Sequence, residues 1–214
     1  MNLLKENANI FLPVLGLVAV IIAMAFVDLG PEGDLIGVLN GVERDVYKEE
    51  PGMDLKEGYD YGAEVKTNYG NFEINLFEDI APRNVNNFIF LAEEGFYDGL
   101  QFYRIIPEFT IQAGYVDEEE VIHYTVEDEI RGFVRFEDYT VAMTNEGEPN
   151  TNRSDFFVTL ADSDVGHLDG DYTIIGEVSD GSSVVERIGN VDVGDDFVPE
   201  EEIVIEEIVI KKEE

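Results

Sequence analysis

The sequence predicts a mainly β domain, a closed antiparallel barrel with helices over its open ends, preceded by an apolar N-terminal helix. Three observations lead there. Short runs of β-branched, aromatic and alternating apolar residues recur from residue 64 almost to residue 214. Two segments in that region carry apolar residues at helical spacing, one early and one late. Residues 10–27 contain no charged side chain.

Residues 65–69 and 72–77 flank Gly70-Asn71 and read as a β-hairpin, with Phe72, Ile74 and Leu76 on one face. Ala81-Pro82 then opens a helix, with proline in its first turn. Val85, Phe88, Ile89 and Ala92 form its apolar stripe, and Gly95 ends it. Strands are expected at 102–106, 109–113, 140–144, 155–160 and 172–178. A second helix is expected over 182–188, closed by Gly189, and a last strand over 203–210. Many short strands with two helices suit a barrel.

Ahead of this domain, residues 28–63 read as an acidic, glycine-rich linker without periodicity. Residues 10–27 would span about 27 Å as a helix, close to the hydrocarbon thickness of a membrane. Two readings stay open: a retained anchor, or a signal peptide cleaved near Ala25, where Ala23-Met24-Ala25 has the small-x-small form. Lys5 precedes the segment and Asp28, Glu32 and Asp34 follow it, so the amino end is expected in the cytoplasm and the domain outside.

The chain has 13 basic and 48 acidic residues and a net charge of −35. Lys5 and Glu6 cancel, so the remaining 12 basic and 47 acidic side chains, and the whole excess, lie in residues 28–214. A phosphate-tracking groove needs a cationic surplus, so nucleic acid is excluded as a partner. Such an excess repels itself at low ionic strength. Salt screens it, since the Debye length falls to about 3 Å at 1 M. The composition therefore predicts a protein suited to a saline environment, with an ordinary acidic secreted protein as the alternative. There is no cysteine, which excludes thiol chemistry and Cys-based metal centres. Only His123 and His167 are present, Asp162-Ser163-Asp164 lacks the rest of a calcium loop, and no Gly-x-Ser-x-Gly turn supports a hydrolase triad with Ser154 and His167. No metal and no cofactor is expected. The sequon Asn152-Arg153-Ser154 reads as structural.

Several runs together resemble one family. They are Ala81-Pro82-Arg83-Asn84-Val85-Asn86-Asn87-Phe88, Gly95-Phe96-Tyr97-Asp98-Gly99, Phe102-Tyr103-Arg104-Ile105-Ile106 and Phe109-Thr110-Ile111-Gln112-Ala113-Gly114. Met143-Thr144-Asn145, the run from Pro149 to Phe157 and the run from Leu168 to Gly176 follow in the same order and spacing. This pattern is similar to the cyclophilins over residues 65–210. The resemblance implies an eight-stranded barrel capped by two helices and peptidyl-prolyl cis–trans isomerase activity. It implies proline-containing polypeptides as partners, and a monomer.

Rotation about an Xaa-Pro amide faces a barrier of about 18–20 kcal/mol. No bond breaks, so the reaction needs only a desolvated proline pocket and a donor that favours the twisted amide. By position, Arg104 matches the family's catalytic arginine. From the residues alone a second reading stays open, a solvent-face arginine in a surface ion pair. The resemblance places Phe109, Phe157 and Leu168 in the proline pocket, where core packing is the alternative. Gln112 matches a residue that holds substrate backbone and arginine, and Asn145 one whose main chain pairs with the peptide. Thr144 stands beside it at a position usually held by alanine.

Other positions depart from the family. Thr110 replaces a pocket methionine. Asp155 replaces a glutamine, adds negative charge to the groove and is placed to pair with Arg104 or Arg153. His167 replaces a tryptophan, which implies weak cyclosporin binding, and Tyr172 replaces a pocket histidine while keeping an aromatic wall. The loop at 115–120 is acidic where the family is glycine-rich. The leading expectation is an exported, membrane-tethered prolyl isomerase that assists folding of exported or surface proteins. The alternatives are a non-catalytic proline-peptide binding module at the membrane and a structural scaffold.

Overall fold

Alternation of apolar and polar side chains builds the sheet. The computed structural model of the chain describes residues 36–39, 42–116 and 121–214, with side chains from residue 45. It opens with two short paired strands, β1 (Ile36–Leu39) and β2 (Val42–Asp45). β3 (Asp60–Thr67) buries Tyr61, Ala63, Val65 and Thr67, and β4 (Gly70–Leu76) buries Phe72, Ile74 and Leu76. Their turn lies at Asn68-Tyr69, two residues before the expected Gly70-Asn71. The Thr67 hydroxyl accounts for the shift: it donates to the Gly70 carbonyl (2.6 Å) and accepts from the Tyr69 N–H (3.1 Å). Gly70 completes the turn at φ 121°, which glycine adopts without a Cβ penalty.

Pro82 opens α1 (Pro82–Glu93), where a missing N–H costs nothing. The stripe Val85, Phe88, Ile89 and Ala92 is buried, and Gly95 follows the helix at φ 70°. Three asparagines of the same helix are buried too, and each is satisfied by a different irregular stretch. Asn84 donates to the Glu127 carbonyl and the Glu129 carboxylate (both 2.9 Å). Asn86 accepts from the Asp54 N–H (2.8 Å), and Asn87 donates to the Arg153 carbonyl (2.6 Å).

The remaining strands are β5 (Phe102–Ile106), β6 (Thr110–Ala113), β7 (Thr140–Met143), β8 (Phe156–Thr159), β9 (Ile174–Asp180) and β10 (Ile205–Glu213). α2 (Ser182–Gly189) lies between the last two. The eight strands β3 to β10 run antiparallel in the order β10-β3-β4-β9-β7-β8-β6-β5. Among the described residues the fold is thus mainly β with the two helices α1 and α2, but the ladder does not return from β5 to β10. The expected closed barrel is instead a curled, open sheet. Too few residues face each other across the seam to make a ladder. It holds the single bridge Gln101–Val204 and three backbone bonds, from Gly99 to Ile205 (2.8 Å), Ile205 to Leu100 (2.8 Å) and Phe102 to Ile203 (2.9 Å).

The second half of the expected linker lies against the domain. The Tyr47 ring meets Phe90 and Phe96 edge-on at 5.7 and 5.9 Å. Arg83 grips Glu50 with two nitrogens at 2.9 and 2.6 Å. The expected apolar helix at 10–27 falls outside the described residues, and among these no helix is long and apolar enough to cross a membrane.

The core divides in two. The larger part fills the concave side of the sheet with Phe72, Phe88, Phe102, Ile105, Ile111 and Phe156 among others. A smaller cluster lies on the other face, around Phe136, Ala142, Phe157, Leu168 and Ile174.

Candidate active site

Register places the candidate residues in one row. Arg104 of β5 pairs with Gln112 of β6, Gln112 with Phe157 of β8, and Phe157 with Ala142 of β7. Directly opposed residues share a face, so these four side chains cross the sheet side by side. The adjacent row, Ile105, Ile111, Val158 and Val141, points into the larger core and is fully buried.

A β-bulge brings Arg104 to the groove face together with its neighbour. Phe102 opposes Ala113 and Arg104 opposes Gln112, so Tyr103 is the extra residue. Phe102 and Ile105 are therefore both buried, while Tyr103 and Arg104 both line the groove.

The groove encloses about 250 Å³. Its apolar side is aromatic. Phe157 stacks on Phe136 (5.8 Å, 7°) and meets Tyr172 edge-on (5.3 Å, 83°). Phe109 and Leu168 complete that wall. Thr110 lines it as well, 1% exposed, with its hydroxyl unpartnered. His167 stands one layer out, stacked on Phe109 at 5.5 Å, and does not line the cavity.

The opposite side is polar. Thr144, Asn145 and Asp155 line it. The Asn145 side chain serves its own loop, donating to the Asp171 carbonyl (2.9 Å) and accepting from the Gly147 N–H (3.1 Å). Its main-chain N–H and C=O have no hydrogen-bond partner among the described residues. The Arg104 guanidinium forms no salt bridge among the described residues, although the chain holds 48 carboxylate side chains. The result is an aromatic pocket beside a half-buried, unneutralised cation and a free amide edge. Among the described residues no cluster could hold a metal ion.

Comparison with known proteins gives the family. The profile of the family described as cyclophilin type peptidyl-prolyl cis-trans isomerase/CLD matches residues 63–210. The chain belongs to the cyclophilin-type peptidyl-prolyl cis-trans isomerases. Peptidyl-prolyl cis-trans isomerase-like 1 of Rhizopus delemar is 43% identical over 129 residues, covering 58% of this chain and 76% of its own. A Streptococcus pyogenes protein, whose name pairs a phosphatase with a peptidyl-prolyl cis-trans isomerase, is 32% identical over 192 residues. That match covers 75% of this chain but 41% of the streptococcal one, so the cyclophilin spans less than half of that relative. The crystal structure of a Cryptosporidium parvum cyclophilin superposes with a TM-score of 0.65 at 31% identity, covering 71% of this chain and 98% of that one. A second crystal structure of the same protein was obtained in the presence of the dipeptide Ala-Pro (TM-score 0.63, 29% identity, 70% and 98% covered).

Within this cyclophilin, Asp155 is partnered otherwise than expected. Its carboxylate accepts hydrogen bonds from the Thr144 hydroxyl and from Tyr103 Oη (3.3 Å), and not from Arg104. Arg153 ion-pairs with Glu146 and acts on Asp155 only through its field. Burial pushes the Asp155 carboxyl above its ordinary range, against the pull of Thr144 and Tyr103. Burial, reinforced by the Asp155 charge, also pushes the Tyr103 phenol well up.

Tyr103, Ile106, Phe136 and Phe197 do not figure among the residues expected at the site. Tyr103 and Ile106 line the groove. Phe136 backs Phe157, and the Phe197 ring lies 5.5 Å from the Arg104 guanidinium. Strict alternation hides Tyr103, and no local pattern announces the other aromatic contacts.

Proposed function

We propose that this domain catalyses cis–trans isomerisation of Xaa-Pro bonds in proline-containing polypeptides bound along the groove. The observation that carries the reading is the row Arg104, Gln112 and Phe157, with a guanidinium that forms no salt bridge among the described residues beside an aromatic pocket. The proline ring enters among Phe109, Phe157, Leu168 and Tyr172. Substrate backbone pairs with the open Asn145 main chain. As the amide twists, the proline nitrogen loses conjugation and becomes an acceptor. Arg104 donates to it, and Gln112 orients the guanidinium and the substrate carbonyl. The donor meets a stronger acceptor in the twisted state than in the planar one, so it lowers the barrier. The Ala-Pro dipeptide used with the Cryptosporidium relative is the simplest ligand of this class. An exchange assay on an Xaa-Pro peptide in molar salt tests the reading. A wild-type rate no faster than solution would overturn it.

The cellular setting belongs to the same proposal. The apolar run at 10–27 tethers the domain to a membrane with its acidic bulk outside, or is removed near Ala25, and the −35 charge suits a saline medium. There the isomerase assists folding of exported or surface proteins, acting as a monomer. The mass of the mature chain separates tether from cleavage. A second reading, a binding module without catalysis, is favoured by the Asp155 carboxylate and the Thr110 hydroxyl in the groove wall. It predicts peptide binding with no exchange between cis and trans signals.

A further inference from the structure

Between α2 and β10 the chain makes a small closed loop. Val193 and Pro199 bridge its base, Gly194 N–H donates to the Val198 carbonyl (2.9 Å), and Glu200 N–H to the Asp192 carbonyl (2.9 Å). At its tip, Asp196 and Phe197 adopt φ 59° and 62° in succession. Side chains with a Cβ rarely take that conformation, and two in a row cost free energy that an ordinary turn avoids. Burial does not repay the cost, because Phe197 is 42% exposed and Val198 51%. What the strained tip gains is a contact: its ring lies against the Arg104 guanidinium at 5.5 Å.

We propose that Phe197 is a positioning residue for Arg104. A long arginine side chain at a groove edge samples many rotamers, and each fixed one costs entropy. An aromatic face holds the guanidinium through its quadrupole without using the N–H donors. A carboxylate in the same place would hold it too, but would also neutralise it and occupy those donors. The choice matters here because Asp195 and Asp196 immediately precede Phe197 in the chain, yet neither forms a salt bridge with Arg104. The loop thus delivers a neutral clamp to Arg104, the one cation among the described residues that line the groove, and leaves its donors for the substrate.

The inference rests on the reading that Arg104 acts on the Xaa-Pro bond. The full chain in molar salt is assayed on a proline peptide as wild type, Phe197→Leu, Phe197→Tyr and Arg104→Ala, alongside Tm and the Arg104 Nε–H resonance. Phe197→Leu is expected to lower kcat about 5- to 10-fold with KM and Tm little changed, the loss one cation–π contact implies. Phe197→Tyr restores most of the rate. The Nε–H resonance loses its ring-current shift in the leucine variant alone. An unchanged kcat in Phe197→Leu, with Arg104→Ala inactive, overturns the positioning role and leaves the isomerase reading standing. So does a loss that tracks Tm and is not rescued by tyrosine, or a resonance that does not move. Full activity in Arg104→Ala overturns both.

Discussion

Thr110 and Asp155 show how single side chains tune the groove wall. A buried hydroxyl without a partner costs about 1–3 kcal/mol, and Thr110 has one at 1% exposure. Thr110→Val keeps the shape and removes that cost, so urea unfolding should show a gain of about 1 kcal/mol. Asp155 acts through its charge. Its folded-state pKa is raised, chiefly by burial. A raised carboxyl contributes stability below its unfolded value, and that contribution is lost as pH rises through the folded value. At neutral pH the charged form is therefore a burden. Asp155→Asn should melt no lower than wild type at pH 7, and any advantage should shrink on acidification toward about pH 4. An advantage that grows on acidification would contradict the assignment. Asp155 as a negative residue in the groove is visible in the sequence. Its partners Tyr103 and Thr144 are not, because they depend on a bulge in β5 and on the β7–β8 register.

The elements repeat this division between local and non-local information. Residues 61–76 carry a period of two and α1 a stripe at helical spacing, so both can be read from neighbouring residues. The bulge at Tyr103 cannot, since strict alternation would set Phe102 and Arg104 on one face, whereas Phe102 is buried in the core. The open seam between β5 and β10 is also invisible locally, because it depends on how many residues oppose each other at 99–102 and 203–205. α1 ties down irregular stretches elsewhere in the chain. Asn84 alone meets Glu127, Glu129 and Asn152. Asn84→Ala should cost about 2–3 kcal/mol in unfolding free energy, since three polar groups on two stretches lose their partner. A loss under about 0.5 kcal/mol would mean that these stretches hold themselves.

At the scale of the whole molecule, charge and site meet. Residues 28–214 carry the whole −35, and among the described residues Arg104 is left without a carboxylate partner while Lys66, Arg83, Lys211 and Lys212 are ion-paired. Mutual repulsion weakens as ions screen it. Tm should rise by about 5 °C or more between dilute buffer and 2 M salt, and an unchanged Tm would contradict the saline reading without touching the chemistry. The chemistry itself is tested most directly by two-dimensional exchange NMR on an Xaa-Pro peptide in molar salt, comparing wild type with Arg104→Ala. The account predicts catalysed exchange by wild type and a loss of about 10²–10³-fold in the variant, with the melting temperature kept. Equal exchange rates for the two proteins would contradict it.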